Sequence, residues 1–254
     1  MTNSKFQYGM IPLHNSFVLK SPVDSTTIDL VNKYLDKLQE SKSKKSHAYS
    51  LVGQIRQRKE SQQLTMDHTD PDCLRLGDYI LSSAEMYVHQ YGKLSPKMIE
   101  GDRIPSIDEM WSVHSYEGDY NTLHTHGCKT LMGISTVLWT KVPKQISDKP
   151  AIGNLKNASG DNDGFLCFVF GGGDVTDTER LKFSGYTPIK PEVGVMYTFP
   201  NWLQHLVWPF FGEGERRTVA SNVNMFRLEQ LSPEHQQLYK KMKAEQKRIQ
   251  EKEK

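Results

Sequence analysis

The sequence predicts a mainly β fold with flanking helices, on three observations. From residue 107 onward, short runs rich in β-branched and aromatic residues recur between turn signals. Upstream of them lie two stretches whose apolar residues repeat at spacings of three and four, the helical period. Hydrophobic residues make up 37% of the chain and aromatic residues 10%, enough to bury a core. For 254 residues one β domain with added helices is an ordinary size. The expected organisation is one domain over 1–230, with its core at about 105–226, and a charged helical tail over 231–254.

The amino-terminal third supplies the helices. Phe6–Leu13 and Phe17–Leu19 read as short edge strands, broken at Pro12. Asp24 or Ser25 can cap a helix through Ile28, Leu30, Val31, Tyr34, Leu35 and Leu38 that lies on a sheet face. Ser41–Ser46 is polar and basic, a solvated loop. Gln54–Leu64 is strongly polar without periodicity and reads as a loop near the site. Asp70-Pro71 marks the start of a second helix, running through Leu74, Leu76, Tyr79, Ile80, Ala84, Met86, Tyr87 and Val88 with Gly92 as its stop.

The strands follow. Trp111–Tyr116 alternates, and Glu117-Gly118-Asp119 turns the chain into His124-Thr125-His126. Leu131–Trp139 reads as a core strand, ended by Pro143. Lys144–Gly164, with its Pro, Gly, Asn and Asp residues, reads as a long excursion over the mouth of the fold. Phe165–Phe170 is continuously apolar and predicts a strand buried on both faces, with Cys167 in the core. The following Gly171-Gly172-Gly173 lacks the basic residue and helix of a phosphate-binding loop, which argues against a nucleotide site. Val195–Phe199 leads to the Pro200-Asn201 turn and His205. Arg216–Asn222 predicts a strand with Arg216, Thr218, Ala220 and Asn222 on one face and Arg217 on the other. Ser232–Lys254 is a lysine- and glutamate-rich helix, solvated, with Leu238 and Met242 as its main apolar residues.

Charge and cysteine usage narrow the function classes. With 32 basic and 30 acidic residues the net charge is +2, and no clustered basic face speaks for nucleic acid. Cys73, Cys128 and Cys167 form no close-spaced pair, so a disulfide framework is not expected and a reducing, cytoplasmic compartment is. Met1–Leu19 has no signal-type apolar core and no stretch approaches a membrane span.

The chemistry concentrates in the histidines. Side chains two apart on a strand project to one side, so His124 and His126 can converge on one metal ion. A third ligand must come from elsewhere, and His205, just past its turn, offers one. His114 reads as a hydrogen-bonded or exposed strand histidine and Asp119 as turn chemistry.

Gly118-Asp119-Tyr120-Asn121-Thr122-Leu123-His124-Thr125-His126, Phe199-Pro200-Asn201-Trp202-Leu203-Gln204-His205 and Gly214-Glu215-Arg216 resemble the 2-oxoglutarate/iron(II) oxygenases related to prolyl hydroxylases, over roughly Trp111 to Asn224. The resemblance implies a double-stranded β-helix, the cupin-like jelly roll, with iron(II) held in the barrel mouth by His124, His126 and His205. It implies a dioxygenase that uses 2-oxoglutarate and O2 as cosubstrates to hydroxylate a peptide side chain or a small molecule. It points to Arg216 for the distal carboxylate of 2-oxoglutarate, with Thr218 and Asn222 beside it on the same face. Trp202 and the Lys144–Gly164 stretch are candidates for shaping the substrate pocket. The usual triad in such enzymes is His-x-Asp/Glu with a distal His. Here His126 stands at the carboxylate position, which removes one negative charge from the site. Two alternatives remain open at this point: a three-histidine cupin-like dioxygenase without 2-oxoglutarate, and a β-sandwich binding module with a structural metal closed by a fourth ligand.

Overall fold

The computed structural model describes residues 17–55, 62–94, 101–148, 162–171, 179 and 184–252. Strand β1 (Leu19–Pro22) leads to helix α1 (Ser25–Glu40). Asp24 caps that helix, its carboxylate accepting the Thr27 backbone N–H at 3.0 Å. The same carboxylate accepts the Tyr79 hydroxyl at 2.9 Å and pairs with Arg75 at 3.1 Å, so the cap also ties α1 to the second helix. Next come β2 (Gly53–Gln54), β3 (Gln62–Thr65) and α2 (Leu74–Leu94). The remaining elements are β4 (Arg103–Ser115), β5 (Tyr120–His124), β6 (Gly133–Lys141), α3 (Lys144–Ser147), β7 (Leu166–Val169), β8 (Tyr186–Ile189), β9 (Val195–Pro200), β10 (Gln204–Val207), β11 (Arg216–Arg227) and α4 (Pro233–Lys252).

The strands form two antiparallel sheets, ordered β1-β9-β6-β11-β4-β3 and β2-β5-β10-β7-β8. The two-residue period of a strand divides the large sheet into two environments. Ile134 and Leu138 of β6 and Val219 and Val223 of β11 face α1 and α2, where they meet Val31, Leu35, Leu76, Ile80 and Ala84. Trp139 of β6 and Phe199 of β9 point the other way and pack on Leu166 and Phe168 of β7. Helices therefore cover one face of the large sheet and the small sheet covers the other, leaving the functional cavity between the sheets. No helix among the described residues is long and apolar enough to cross a membrane.

Several expectations from the sequence shift. The strand expected from Trp111 starts at Arg103, because β4 pairs along β11 as far as Arg227. The second helix starts at Leu74, since Asp70 to Cys73 form a turn in which Asp70 accepts from Cys73 at 2.8 Å. Gly92 lies inside it. Gln54–Leu64 is not all loop: Gln62–Thr65 pairs with β4 as an edge strand. Leu238 and Met242 are more than half exposed, as a solvated helix requires. The strand read at Phe6–Leu13, residues 149–161 of the excursion, and Gly172-Gly173 lie outside the described residues.

Arg217 is not a surface charge. It is 1% exposed on the helix side of β11, where Glu215 accepts from it at 2.8 and 3.0 Å and Asn32 of α1 accepts at 3.2 Å. Glu215 also accepts from His114 Nδ1 at 2.7 Å, and the Ser112 hydroxyl meets His114 Nε2 at 3.0 Å. This Ser-His-Glu chain is buried away from the cavity and is structural. Burial would raise the Glu215 carboxyl, but the hydrogen bonds from His114 and Arg217 outweigh it and bring it down from 4.5 to about 2. Burial lowers His114 despite Glu215. Both shifts act in one direction. The unfolded chain takes up these protons at higher pH than the folded chain, so the stability they contribute is present at neutral pH and is lost on acidification. Glu215 alone accounts for on the order of 3 kcal/mol, lost as the pH falls from about 4.5 towards about 2. Urea unfolding across that window should show the loss, and Glu215→Gln should lower stability at pH 7 and flatten the profile.

Candidate metal centre

His205 on β10 and His124 on β5 are direct antiparallel partners, so ladder pairing alone sets two imidazoles side by side. His126 lies just past the end of β5 rather than within it, and its backbone N–H donates to the Asn201 carbonyl at 2.9 Å. That bond joins the loop after β5 to the turn before β10. Gly133 permits the approach: a Cβ there would meet Cys128 Sγ at 2.6 Å and Asn201 Nδ2 at 2.7 Å. A register shift between His205 and Val207 and another between Asn222 and Val223 flank the site, where bulges commonly re-aim side chains.

The potential ligand atoms of His124, His126 and His205 all lie within 4.8 Å of one another. Each Nδ1 is already engaged: His124 donates to the Thr122 carbonyl at 2.6 Å, His205 to the Leu203 carbonyl at 2.9 Å, and His126 to Asn222 Oδ1 at 2.9 Å. Such bonds fix the ring and its tautomer, leaving all three Nε2 lone pairs for a shared point. Burial keeps the rings neutral, the form that ligates. It lowers His124, brings His126, with help from His124, to about 4, and holds His205, next to both, well below the ordinary value. Among the described residues no further His, Cys, Asp or Glu joins the cluster.

The histidines line a cavity of about 240 Å³ between the sheets. Arg216, Thr218, Ala220 and Asn222 of β11 line it together, as strand alternation predicts, with Glu109, Trp111, Val113 and Ser115 of the neighbouring β4. Arg216 is 2% exposed, with its guanidinium over the Phe210 ring. Nη1 donates to the carbonyls of Gly164 at 3.1 Å and Trp208 at 2.8 Å, and Nη2 to that of Asp119 at 3.5 Å. Nε and one Nη2 hydrogen remain. Burial lowers its pKa, partly offset by Asp119, to about 10, so the charge persists at neutral pH.

Asn222 stands on the expected face. Its Oδ1 accepts from both His126 Nδ1 and Ser135 Oγ, the latter at 3.0 Å, so it orients the His126 ring. Asn222→Leu should weaken metal binding by roughly 10–100-fold, the cost of losing an outer-shell partner, and equilibrium dialysis against iron(II) would measure it. Trp202 is 59% exposed on the turn and is not among the residues that line the cavity. Asp119 keeps its turn role, accepting the Tyr116 N–H at 2.9 Å. His47, Gln63, Glu109 and Trp111 line the cavity without having been singled out in the sequence. The two-residue spacing from Glu109 to Ser115 carried the signal for two of them.

Residues 109–222 match the family model described as "Putative 2OG-Fe(II) oxygenase". The matched span holds all three histidines, Arg216, Thr218 and Asn222, and the family is the one the motifs resemble. No curated protein matches the chain. Solved structures do. AviO1 from Streptomyces viridochromogenes Tue57 is 12% identical, with 82% of this chain and 90% of that one covered and a TM-score of 0.52. SnoK, a non-heme alpha ketoglutarate dependent carbocyclase from nogalamycin biosynthesis, is 9% identical, with coverages of 86% and 87% and a TM-score of 0.51. SnoN, an epimerase of the same biosynthesis, is 9% identical, with coverages of 82% and 77% and a TM-score of 0.51. At these identities the likeness is one of fold. It is the double-stranded β-helix of 2-oxoglutarate oxygenases, and the paired antiparallel sheets with outer helices are its form here.

Proposed function

We propose that the chain is a 2-oxoglutarate- and iron(II)-dependent dioxygenase that hydroxylates a peptide side chain or a small molecule. The observation that carries the reading is the shared tautomer: three neutral imidazoles with Nδ1 engaged and Nε2 free, in the cavity that Arg216 also lines. Imidazole donors suit iron(II), and the cluster leaves coordination positions open. When bound, iron(II) and 2-oxoglutarate supply the oxidation: one atom of O2 enters a C–H bond of the substrate and the other enters succinate, with CO2 released.

The chain's own part is positioning. His124, His126 and His205 would hold the metal. Arg216 offers its remaining Nε and Nη2 hydrogens to the distal carboxylate of 2-oxoglutarate, a paired contact that a buried anion needs, and Thr218 adds a hydroxyl. Trp139, Leu166, Phe199 and Val207 give the cavity apolar walls that keep water from the reacting centre. Cys73, Cys128 and Cys167 are all free thiols, which fits a reducing compartment such as the cytoplasm.

One observation favours a second reading. His126 in place of a carboxylate leaves a neutral three-histidine set, the donor set of cupin-like dioxygenases that use no 2-oxoglutarate. Anaerobic addition of 2-oxoglutarate to the iron(II)-loaded protein separates the two. The first reading expects the visible charge-transfer band of a chelated 2-oxo acid. Bound iron without a band would establish the second, and a protein that holds zinc tightly but no iron would return the site to a structural metal.

A further inference from the structure

The cavity carries opposite charges at its two ends. Across the β4–β11 ladder Arg216 pairs with Ser115 and Asn222 with Glu109, so the two ionised side chains lie roughly 20 Å apart along the strands. Among the described lining residues Glu109 is the one carboxylate and Arg216 the one permanent cation. Glu109 Oε1 accepts the Tyr49 hydroxyl at 3.1 Å, and the adjacent Lys129 is committed to Asp108 at 2.5 Å. Next to Glu109 on the same face stands Trp111, stacked on His47 at 4.6 Å and 9°, with the His126 ring 5.5 Å away.

Two polar atoms of the cavity wall are unsatisfied, that of Gln63 across from Val113 and that of His47 beside Trp111. His47 and Gln63, 2% and 5% exposed, both line the cavity, and His47 Nδ1 and Gln63 Oε1 are buried without a hydrogen-bond partner. An incoming donor relieves the cost of leaving such a buried acceptor unpaired. We propose that the Glu109 end of the cavity is a substrate subsite for a nitrogen cation, a primary ammonium or a guanidinium, held by the Glu109 carboxylate and the Nδ1 acceptor of His47, whose ring stacks on the neighbouring Trp111. That the bound cation is a substrate rests on the oxygenase reading; that it binds does not.

The chemistry matches on each count. An ammonium or guanidinium presents several N–H donors, and a carboxylate oxygen and an unprotonated imidazole nitrogen accept them. The anionic cosubstrate is drawn to Arg216 at the opposite end, so the two ligands do not compete. Asn222, the cross-strand partner of Glu109, bonds His126, and Trp111 lies 5.5 Å from that ring, which sets the carbon chain behind the cationic head beside the imidazoles.

The test is calorimetric titration of the full chain with three probes: Nα-acetyl-lysine methylamide, its uncharged isostere Nα-acetyl-norleucine methylamide, and n-butylammonium. At least one cation should bind about tenfold more tightly than the norleucine probe, and Glu109→Gln, checked for native circular dichroism, should abolish the preference. Tighter lysine binding identifies a side chain carried on a peptide, and tighter butylammonium binding a free amine. Equal binding of norleucine and both cations by the wild type overturns the proposal, as does a preference that survives Glu109→Gln. The 2-oxoglutarate band is read on the same protein: its absence sinks the 2-oxoglutarate reading and leaves the cation preference legible, and the converse holds.

Discussion

His205→Ala is expected to reduce iron(II) affinity by more than about 100-fold, close to 3 kcal/mol, and to abolish 2-oxoglutarate turnover. His205 is 4% exposed, and its ring is fixed by the Leu203 carbonyl at 2.9 Å. Truncation leaves two of the three imidazole donors and opens space that water enters. The metal-free fold should survive, because Phe168 and Phe199 continue to pack on each other at 4.9 Å. Thermal unfolding with and without iron(II) separates the effects: wild type gains stability from the metal, and the variant unfolds at one temperature in both. Retained tight iron binding by His205→Ala would remove it from the ligand set.

The second large effect is expected at Arg216. Arg216→Leu should raise the KM for 2-oxoglutarate by about 100-fold, since charge-assisted hydrogen bonds contribute roughly 1.5–3 kcal/mol each. It should also destabilise the fold, because the carbonyls of Gly164 and Trp208 lose the donor that satisfies them. Arg216→Lys keeps the charge but cannot serve those carbonyls and a carboxylate together, so it should recover only part of both losses. Steady-state kinetics and urea unfolding on the two variants distinguish the roles. Unaltered KM in Arg216→Leu would mean that the cosubstrate's distal carboxylate is held elsewhere.

What the sequence determined by itself was whatever depends on local period. The spacing of His124 and His126, the turn before His205, and the alternation of Arg216, Thr218, Ala220 and Asn222 need only strand geometry, in which the face of a residue follows from its parity. The Asp24 cap and the apolar stripe of α1 were legible for the same reason. Tertiary structure decided whatever depends on distant partners. Gln62–Thr65 lies in a polar stretch with no strand pattern and is a strand because β4 offers it an edge. His47 enters the cavity through its backbone bond to Gln63 and its stacking on Trp111. Asn222 turned out to orient His126, 96 residues away, and Arg217 and His114 to share Glu215 beneath α1. Trp202 showed the limit of a turn signal, which marks a change of chain direction without saying where the side chain faces. A hydrogen-bond partner or a cavity wall is a property of packing between segments, and no local period encodes it.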